Sequence, residues 1–424
     1  MRKIFVVAGL VLAINIKPVS AQIDTLFLHR HLTFGEYLLK VSSGNIEYAA
    51  NRYNVSIADA KVEAARVCND PYLNFEWLES REKERRSGYG YTTEIGTTVQ
   101  IAGQRRARID LAQNEYQLSM ALLDDYFRNL RAESALAFLN CHKQRQLYTV
   151  FWDSYQTMRR LSEADSIRYR LGSIMEIDAI QSKLEAGVIY NDLLLAGTEW
   201  KNSIIGLTSL TGRQNTDTLI IPAIQFTDSC RLFSMETLIG QALNNRSDLM
   251  AARKAMDVSE KNLALVKRER APDLDLYVNF SNAMLTDDTA PPVRGVTGGV
   301  SVPLKFSALN RGEVRMSQDM VSQSEKLYEQ VSMQIRAEVT QAWNLYYVYC
   351  RQVENFERGL LKSASDVMNG KIYSYKRGEN SLLEVLNAQR TYNDIQTAYY
   401  EALYNRAAAL VNLEKSAGIW DIRF

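Results

Sequence analysis

The sequence predicts a mainly α-helical protein that carries a transmembrane β-barrel, built from a duplicated unit of long helical hairpins and two strand pairs. Three observations lead there. Residues 104 to 171 contain neither Pro nor Gly, and no Pro follows Pro303. The second half of the chain repeats the first at an offset near 200 residues. Between the helical stretches lie short segments in which apolar and polar residues strictly alternate.

The two Pro-free stretches are rich in Ala, Leu, Glu, Gln, Arg and Met, the residues that lose least on entering a helix. At 1.5 Å per residue, the first would form a helix of roughly 100 Å. A helix that long cannot wrap one compact core and calls for coiled-coil-like packing. The repeat is read from several pairs. "NIEYAA…PYLNFEW" from Asn45 parallels "SDLMAA…PDLDLYV" from Ser247, and "GTTVQIAGQRRARIDLA" parallels "GVSVPLKFSALNRGEVRMS". Arg131-Ala132-Glu133 recurs at Arg336-Ala337-Glu338, offset 205, and Gly172 recurs at Gly378, offset 206. Each half reads helix, strand, strand, very long helix, glycine turn, helix. The expected organisation is a first repeat over 22–210 with strands about 72–101, a linker at 211–234, and a second repeat over 235–424 with strands about 274–306. A period near 200 is too long for a solenoid.

In the strands, Leu73, Phe75 and Trp77 alternate with Asn74 and Glu76, and Ile95, Val99 and Ile101 alternate with Glu94, Thr98 and Gln100. Leu274, Leu276, Val278 and Phe280 alternate with Asp275, Tyr277, Asn279 and Ser281; Val300, Val302, Leu304 and Phe306 alternate with Ser301, Pro303 and Lys305. Period two gives one apolar and one polar face. That pattern fits a sheet half-buried on a soluble core, and it fits a barrel with lipid outside and water inside. The flanking helices are too long to form a core beneath a small sheet, and the turns "ESREKERRSGYG" and "LTDDTAPPVRG" are polar enough to stand in water, which favours the barrel. Four strands cannot close one, and an open edge cannot sit in lipid. Three chains would supply twelve strands, an even number in the usual range.

Residues 1–21 read as a secretory signal: "MRK", the apolar run "IFVVAGLVLAI", and small residues before a cut after Ala21. Lys+Arg total 50 against 49 Asp+Glu; without Arg2, Lys3 and Lys17 the balance is 47 to 49, which leaves no electrostatic footprint for nucleic acid. Cys68, Cys141, Cys230 and Cys350 are far apart and lack a C-x-x-C, so neither a zinc site nor a disulfide framework is expected and buried free thiols are the reading. His29 and His31 form an H-x-H with no acidic or Cys partner, so no metal site is assigned and the segment is read as solvated. No nucleophile elbow, metal motif or phosphate loop marks an enzyme, and no cofactor is expected.

Taken in order and in duplicate, "NRSDLMAARKAMDVSEKNLALVKRERAPDLDLYVNFSN", "GVSVPLKFSALNRGEV" and "YKRGENSLLEVLNAQRTYNDIQTAYYEALYNRAAALVNLEKSAG" resemble the TolC-like outer-membrane efflux proteins. The resemblance implies a homotrimer with a shared twelve-stranded barrel in outer-membrane lipid, standing on an α-helical tunnel across the periplasm. It implies an exit duct that performs no chemistry and works with a periplasmic adaptor and an inner-membrane pump. "IAGQRRARIDLAQNEY" is similar to a stretch of the cation-efflux branch served by RND-type pumps, with Gln104 in place of Lys. Drug-efflux or type I secretion ducts are the alternatives, and a secreted coiled-coil structural protein is the rival outside the family.

In this resemblance the glycine turns form the periplasmic tips. Ser173 and Ser381 are read as N-caps of the restarting helices. Adaptor contact is expected at Leu171, Gly172, Ser173 and Ile174 on one tip and at Arg377, Gly378, Glu379, Ser381, Leu382 and Leu383 on the other. Asp178 takes the place of a gate aspartate, and Tyr375 that of a tyrosine bonding across to it. Asn380 stands where an arginine is found in drug-efflux ducts, so an ionic lock is lost there. Glu384 falls at the first acid of a constriction ring, and Asn387 falls, uncharged, at the second.

Overall fold

The computed structural model describes residues 28–82, 85–212, 218–224, 230–285, 293–304 and 310–422. The expected signal over 1–21, Lys83 and Glu84 of the first polar strand turn, residues 286–292 of the second, and Lys305 and Phe306 lie outside them.

The first half runs β1 (Leu28–Leu32), α1 (Phe34–Gly44), α2 (Ile46–Arg66), β2 (Tyr72–Glu82), β3 (Arg85–Val99), α3 (Gln104–Arg170) and α4 (Glu176–Ser209). The second runs β4 (Thr218–Pro222), α5 (Met235–Asn245), α6 (Ser247–Arg268), β5 (Leu274–Leu285), β6 (Val293–Ser301), α7 (Arg311–Asn355), α8 (Leu361–Lys376) and α9 (Leu382–Ala417). A π-helical turn, Phe356–Leu360, joins α7 to α8. Helix starts follow local chemistry: Thr33 and Glu36 form a capping box before α1, and the Asn45 side chain accepts the Tyr48 N–H before α2.

The single very long helix expected in each half exists only in the first. α3 is continuous over 67 residues. Its counterpart is interrupted where Gly359 takes φ 151°, a conformation open to glycine. Buried positions show what the interruption does. Leu130 and Ile335, Ser134 and Val339, Cys141 and Tyr346 correspond at offset 205; beyond the turn, Met158 and Ala364, Ser162 and Met368 correspond at 206. Offset 206 then holds along α4 and α9, through Ala179 and Val385, Ala196 and Ala402, Leu207 and Leu413. A π turn holds one residue more than the α turn it replaces, and it absorbs the one-residue slip visible in the sequence repeat.

β2, β3, β5 and β6 form one antiparallel sheet in that order. Leu73 pairs Ile95, Ile95 pairs Val278, and Phe280 pairs Val296, so the apolar residues of all four strands share a face. That face is bare: Leu73, Phe75 and Trp77 are 60–69% exposed and Val296 is 70% exposed. The other face is polar. Thr98 donates to Asp275 at 2.6 Å and Tyr72 to Glu94 at 3.2 Å. There the row Tyr72, Gly96, Tyr277, Gly299 crosses the sheet, and each ring lies over the next glycine. A Cβ on Gly96 or Gly299 would meet the ring at 2.4 Å. The strands are shorter than expected at their ends: β3 stops at Val99, and 302–304 are not strand. Among the described residues no helix is long and apolar enough to cross a membrane.

Two clusters form the core where the helices bundle. Tyr37, Phe138, Leu139, Leu207 and Val411 center one; Leu238, Ile335, Val339, Tyr346 and Leu413 center the other. β1, which contains His29 and His31, is not a free segment: it pairs in parallel with β4 of the linker.

The cysteine expectation is overturned. Cys230 and Cys350 form a disulfide across 120 residues, with Cα atoms 6.1 Å apart. Separation in sequence says nothing about separation in space once the linker doubles back over α7. Cys141 is a buried free thiol and Cys68 an exposed one. The neighbouring Arg231 binds Glu414 at 2.9 Å and Asp421 with both guanidinium nitrogens, and its backbone N–H donates to the Tyr346 hydroxyl. Burial pushes the fully buried Glu414 carboxyl up to about 8, while Arg231 holds Asp421 well below the usual range.

Candidate functional site

The α3–α4 and α8–α9 turns are built alike. Each helix ends in a Schellman pattern. Ser173 N–H reaches Arg168 O at 2.8 Å and Gly172 N–H reaches Tyr169 O at 2.8 Å; Glu379 N–H reaches Ser374 O at 3.0 Å and Gly378 N–H reaches Tyr375 O at 3.0 Å. Gly172 and Gly378 take φ 72° and 81°, the left-handed conformation the motif needs. The cap residues differ from expectation. α4 is preceded by Met175, not Ser173, and Ser381 sits at the α9 cap without a side-chain cap bond. The turn after Gly172 is two residues longer than the Ser173 reading allowed.

Most of the expected contact residues are accessible. Leu171, Gly172, Ser173, Arg377, Gly378, Glu379, Ser381 and Leu383 are exposed and Ile174 is half-buried. Leu382 is not available. It is 4% exposed and packs with Met158, Leu161, Tyr375, Val385 and Leu386, because the first turn of α9 must seat an apolar residue against α3. Met175 and Ile177, which the sequence reading passed over, are exposed beside Leu171.

The gate residues also rearrange. The Tyr375 hydroxyl donates to Asp165 Oδ1 at 3.0 Å, so its partner in the chain is Asp165 and not Asp178. Asp165 is fully buried, its Oδ2 has no hydrogen-bond partner among the described residues, and Arg168 stands 3.7 Å from Oδ1 and over the Tyr375 ring. Burial raises the Asp165 carboxyl, against the lowering effect of Tyr375, Ser182 and Arg168; burial and Asp165 together raise the Tyr375 phenol. A signal for Asp165 was present: it extends the spacing Met158, Leu161, Asp165 along the buried stripe of α3, where an acid must find a donor. Asp178 and Asn380 are half-buried, and Asn387 is exposed. Glu384 is exposed and ion-paired with Lys371 at 2.6 Å, which lowers its carboxyl.

Two further contacts tie the hairpins together. Arg390 of α9 binds Glu185 of α4 through both carboxylate oxygens, at 3.2 and 3.0 Å. Ser154 of α3 donates to Asn393 at 2.5 Å and accepts from Gln389 at 3.2 Å, so a polar knot joins α3 to α9. Among the described residues no group of three or more His, Cys, Asp or Glu could hold a metal ion.

An amphipathic sheet with a bare apolar face, continued by two hairpins that end in matching tips, defines an outer-membrane channel with a helical extension. Residues 238–419 match the model of the family described as outer membrane efflux protein. The cobalt-zinc-cadmium resistance protein CzcC of Cupriavidus metallidurans is 21% identical over 387 residues, covering 91% of this chain and 90% of that protein. The outer membrane protein TolC of Vibrio cholerae is 22% identical, covering 74% and 70%. A crystal structure of CusC superposes with a TM-score of 0.75 at 17% identity, covering 93% of this chain and 94% of that one. The second half of the chain thus matches the outer membrane efflux protein family, and over most of its length the chain is similar in sequence to CzcC and in fold to CusC.

Proposed function

We infer that the chain is the outer-membrane duct of a tripartite efflux system, through which substrate passes without chemical change. The carrying observation is the pairing of the bare apolar sheet face with two hairpins whose turns are built alike. A four-stranded sheet has two open edges, which lipid does not tolerate. Three copies close it into a barrel of twelve strands, and six hairpins then surround a tunnel. The exposed tips, with Leu171, Met175 and Leu383, offer apolar surface to a periplasmic adaptor, which connects the duct to an inner-membrane pump.

Cation export is the favoured cargo. The relative CzcC is named for cobalt, zinc and cadmium resistance, and the stretch from Ile101 to Tyr116 is similar to the cation-efflux branch. The constriction is assigned to Asp178, Tyr375, Asn380, Glu384 and Asn387, with Asp165 added as the acceptor of Tyr375. Three copies of Glu384 around a pore favour cations, moderated by the Lys371 beside each. The test is a deletion strain challenged with divalent metals, dyes and large antibiotics. Sensitivity to cobalt, zinc or cadmium, restored by the wild-type gene, is expected; sensitivity to dyes alone would move the duct to the drug-efflux branch.

A further inference from the structure

The passage of substrate through a duct leaves the arginines of "IAGQRRAR" without a task. They stand where the sheet gives way to the helices: β3 ends at Val99 and α3 begins at Gln104. Arg105 donates from Nε to the Arg66 carbonyl at 2.9 Å, and a second guanidinium nitrogen joins it there. Arg268 donates to the Gly103 carbonyl at 3.2 Å. These bonds gather the last turn of α2, the first of α3 and the last of α6. They bring Arg66, Arg105, Arg106 and Arg268 together just beyond the strands. All four residues are exposed. Among the described residues their side chains have no polar partners but these two carbonyls. A carbonyl orients a guanidinium without neutralising it, so the cluster keeps its positive charge in a chain whose acids and bases otherwise balance, 49 to 50.

The cluster faces the apolar side of the sheet. Gln104 donates to Asp273 at 3.1 Å, and Arg108 donates to Gln100. Gln100 and Asp273 continue the polar alternation of β3 and β5, so the side of α3 that carries Gln104 and Arg108 belongs to the polar face. Arg106 is two residues from each. At about 100° per residue it stands roughly 160–200° round the helix from both, on the side of the bare apolar face. That face is open close by: Leu73 is 69% exposed and Ile101 58%.

We propose that Arg66, Arg105, Arg106 and Arg268 bind the phosphate of an anionic phospholipid in the periplasmic leaflet, whose acyl chains lie on Leu73 and Ile101. The inference rests on the barrel reading above. A guanidinium offers parallel N–H groups that match two phosphate oxygens. Arg105 and Arg268 are already oriented by backbone carbonyls, which lowers the ordering cost of binding. Charge selects an anionic headgroup over a zwitterionic one, and the apolar residues beside the cluster select a lipid over free phosphate.

The experiment uses full-length protein in neutral detergent, titrated with dioleoylphosphatidylglycerol, dioleoylphosphatidylcholine or inorganic phosphate and read by native mass spectrometry. The glycerol lipid is expected to bind at least about tenfold more tightly than either alternative. Arg106→Gln, which removes no bond within the chain, should weaken it about fivefold, and Arg106→Gln with Arg268→Gln more than about tenfold. Arg108→Gln, on the polar side of the same helix, should change it less than twofold. Equal affinity for the two lipids, phosphate binding as tight as the lipid, or an Arg108→Gln loss equal to that of Arg106→Gln overturns the proposal. The barrel reading is tested separately in vesicles of phosphatidylcholine with brominated acyl chains. Quenching that disappears in Trp77→Phe places the sheet in lipid; wild type quenched no more than Trp77→Phe sinks the barrel reading itself.

Discussion

The Cys230–Cys350 disulfide makes a quantitative demand. It closes a loop across 120 residues, and the chain-entropy relation gives about 5 kcal/mol for a loop of that length. Its position adds to this. Cys350 lies in the apolar cluster with Ile335, Val339, Tyr346 and Leu413, and Cys230 sets Arg231 between Glu414, Asp421 and the Tyr346 hydroxyl. Removing the bond frees the linker that fixes this network. With roughly 2 cal/mol/K of unfolding entropy per residue, a chain of this size should lose about 6 °C of thermal stability. The assay is tryptophan fluorescence of the detergent-solubilised protein on heating, for wild type with and without reductant and for Cys350→Ser. Coincident melting of all three samples within about 1 °C would refute the reasoning. So would alkylation of both cysteines in the non-reduced protein.

Three other perturbations are informative. Tyr375→Phe removes the donor to the buried Asp165, costs about 1.5–3 kcal/mol per chain, and should raise closed-state leak in planar bilayers; conductance traces identical to wild type would argue against Asp165 as the partner that matters. Glu414 has a folded pKa raised to about 8 from 4.5, so its contribution is full below about 4.5 and is lost as pH rises through 8. Wild type should therefore melt at a lower temperature at pH 9 than at pH 6.5, and Glu414→Gln should flatten that alkaline fall. Glu384→Gln should reduce cation over anion preference, and Lys371→Gln, which leaves Glu384 unpaired, should increase it; ion-selectivity measurements that fail to move in opposite directions would remove Glu384 from the pore.

The fold was largely legible because its signals are periodic and occur twice. Alternation fixed which strand residues share a face, and the sheet register confirms it pair by pair from Leu73 to Val296. Proline and glycine placement located both turns. What escaped depends on contacts remote in sequence. The disulfide, the pairing of β1 with β4, and the bond from Tyr375 to Asp165 each join residues more than 100 positions apart, and no local pattern encodes such partners. Leu382 was misread for a different reason: an apolar residue beside a turn looks exposed until the helix it begins is seen packing on α3. The π turn had a faint trace, the change of repeat offset from 205 to 206, but an offset cannot say which turn of a long helix holds the extra residue.

That turn keeps α8 in step with the far part of α3. An α-helix advances 1.5 Å and about 100° for every residue. One surplus residue in an unbroken helix would swing every side chain beyond it round by that angle, and Tyr375 would no longer face Asp165. Phe356–Leu360 acts as a vernier, taking up the spare residue and returning α8 to the phase of α3. Deleting Gly359 should therefore be milder than adding a residue anywhere between Leu361 and Lys376, since the deletion leaves a plain helix in step with its twin and the insertion throws the whole tip out of phase.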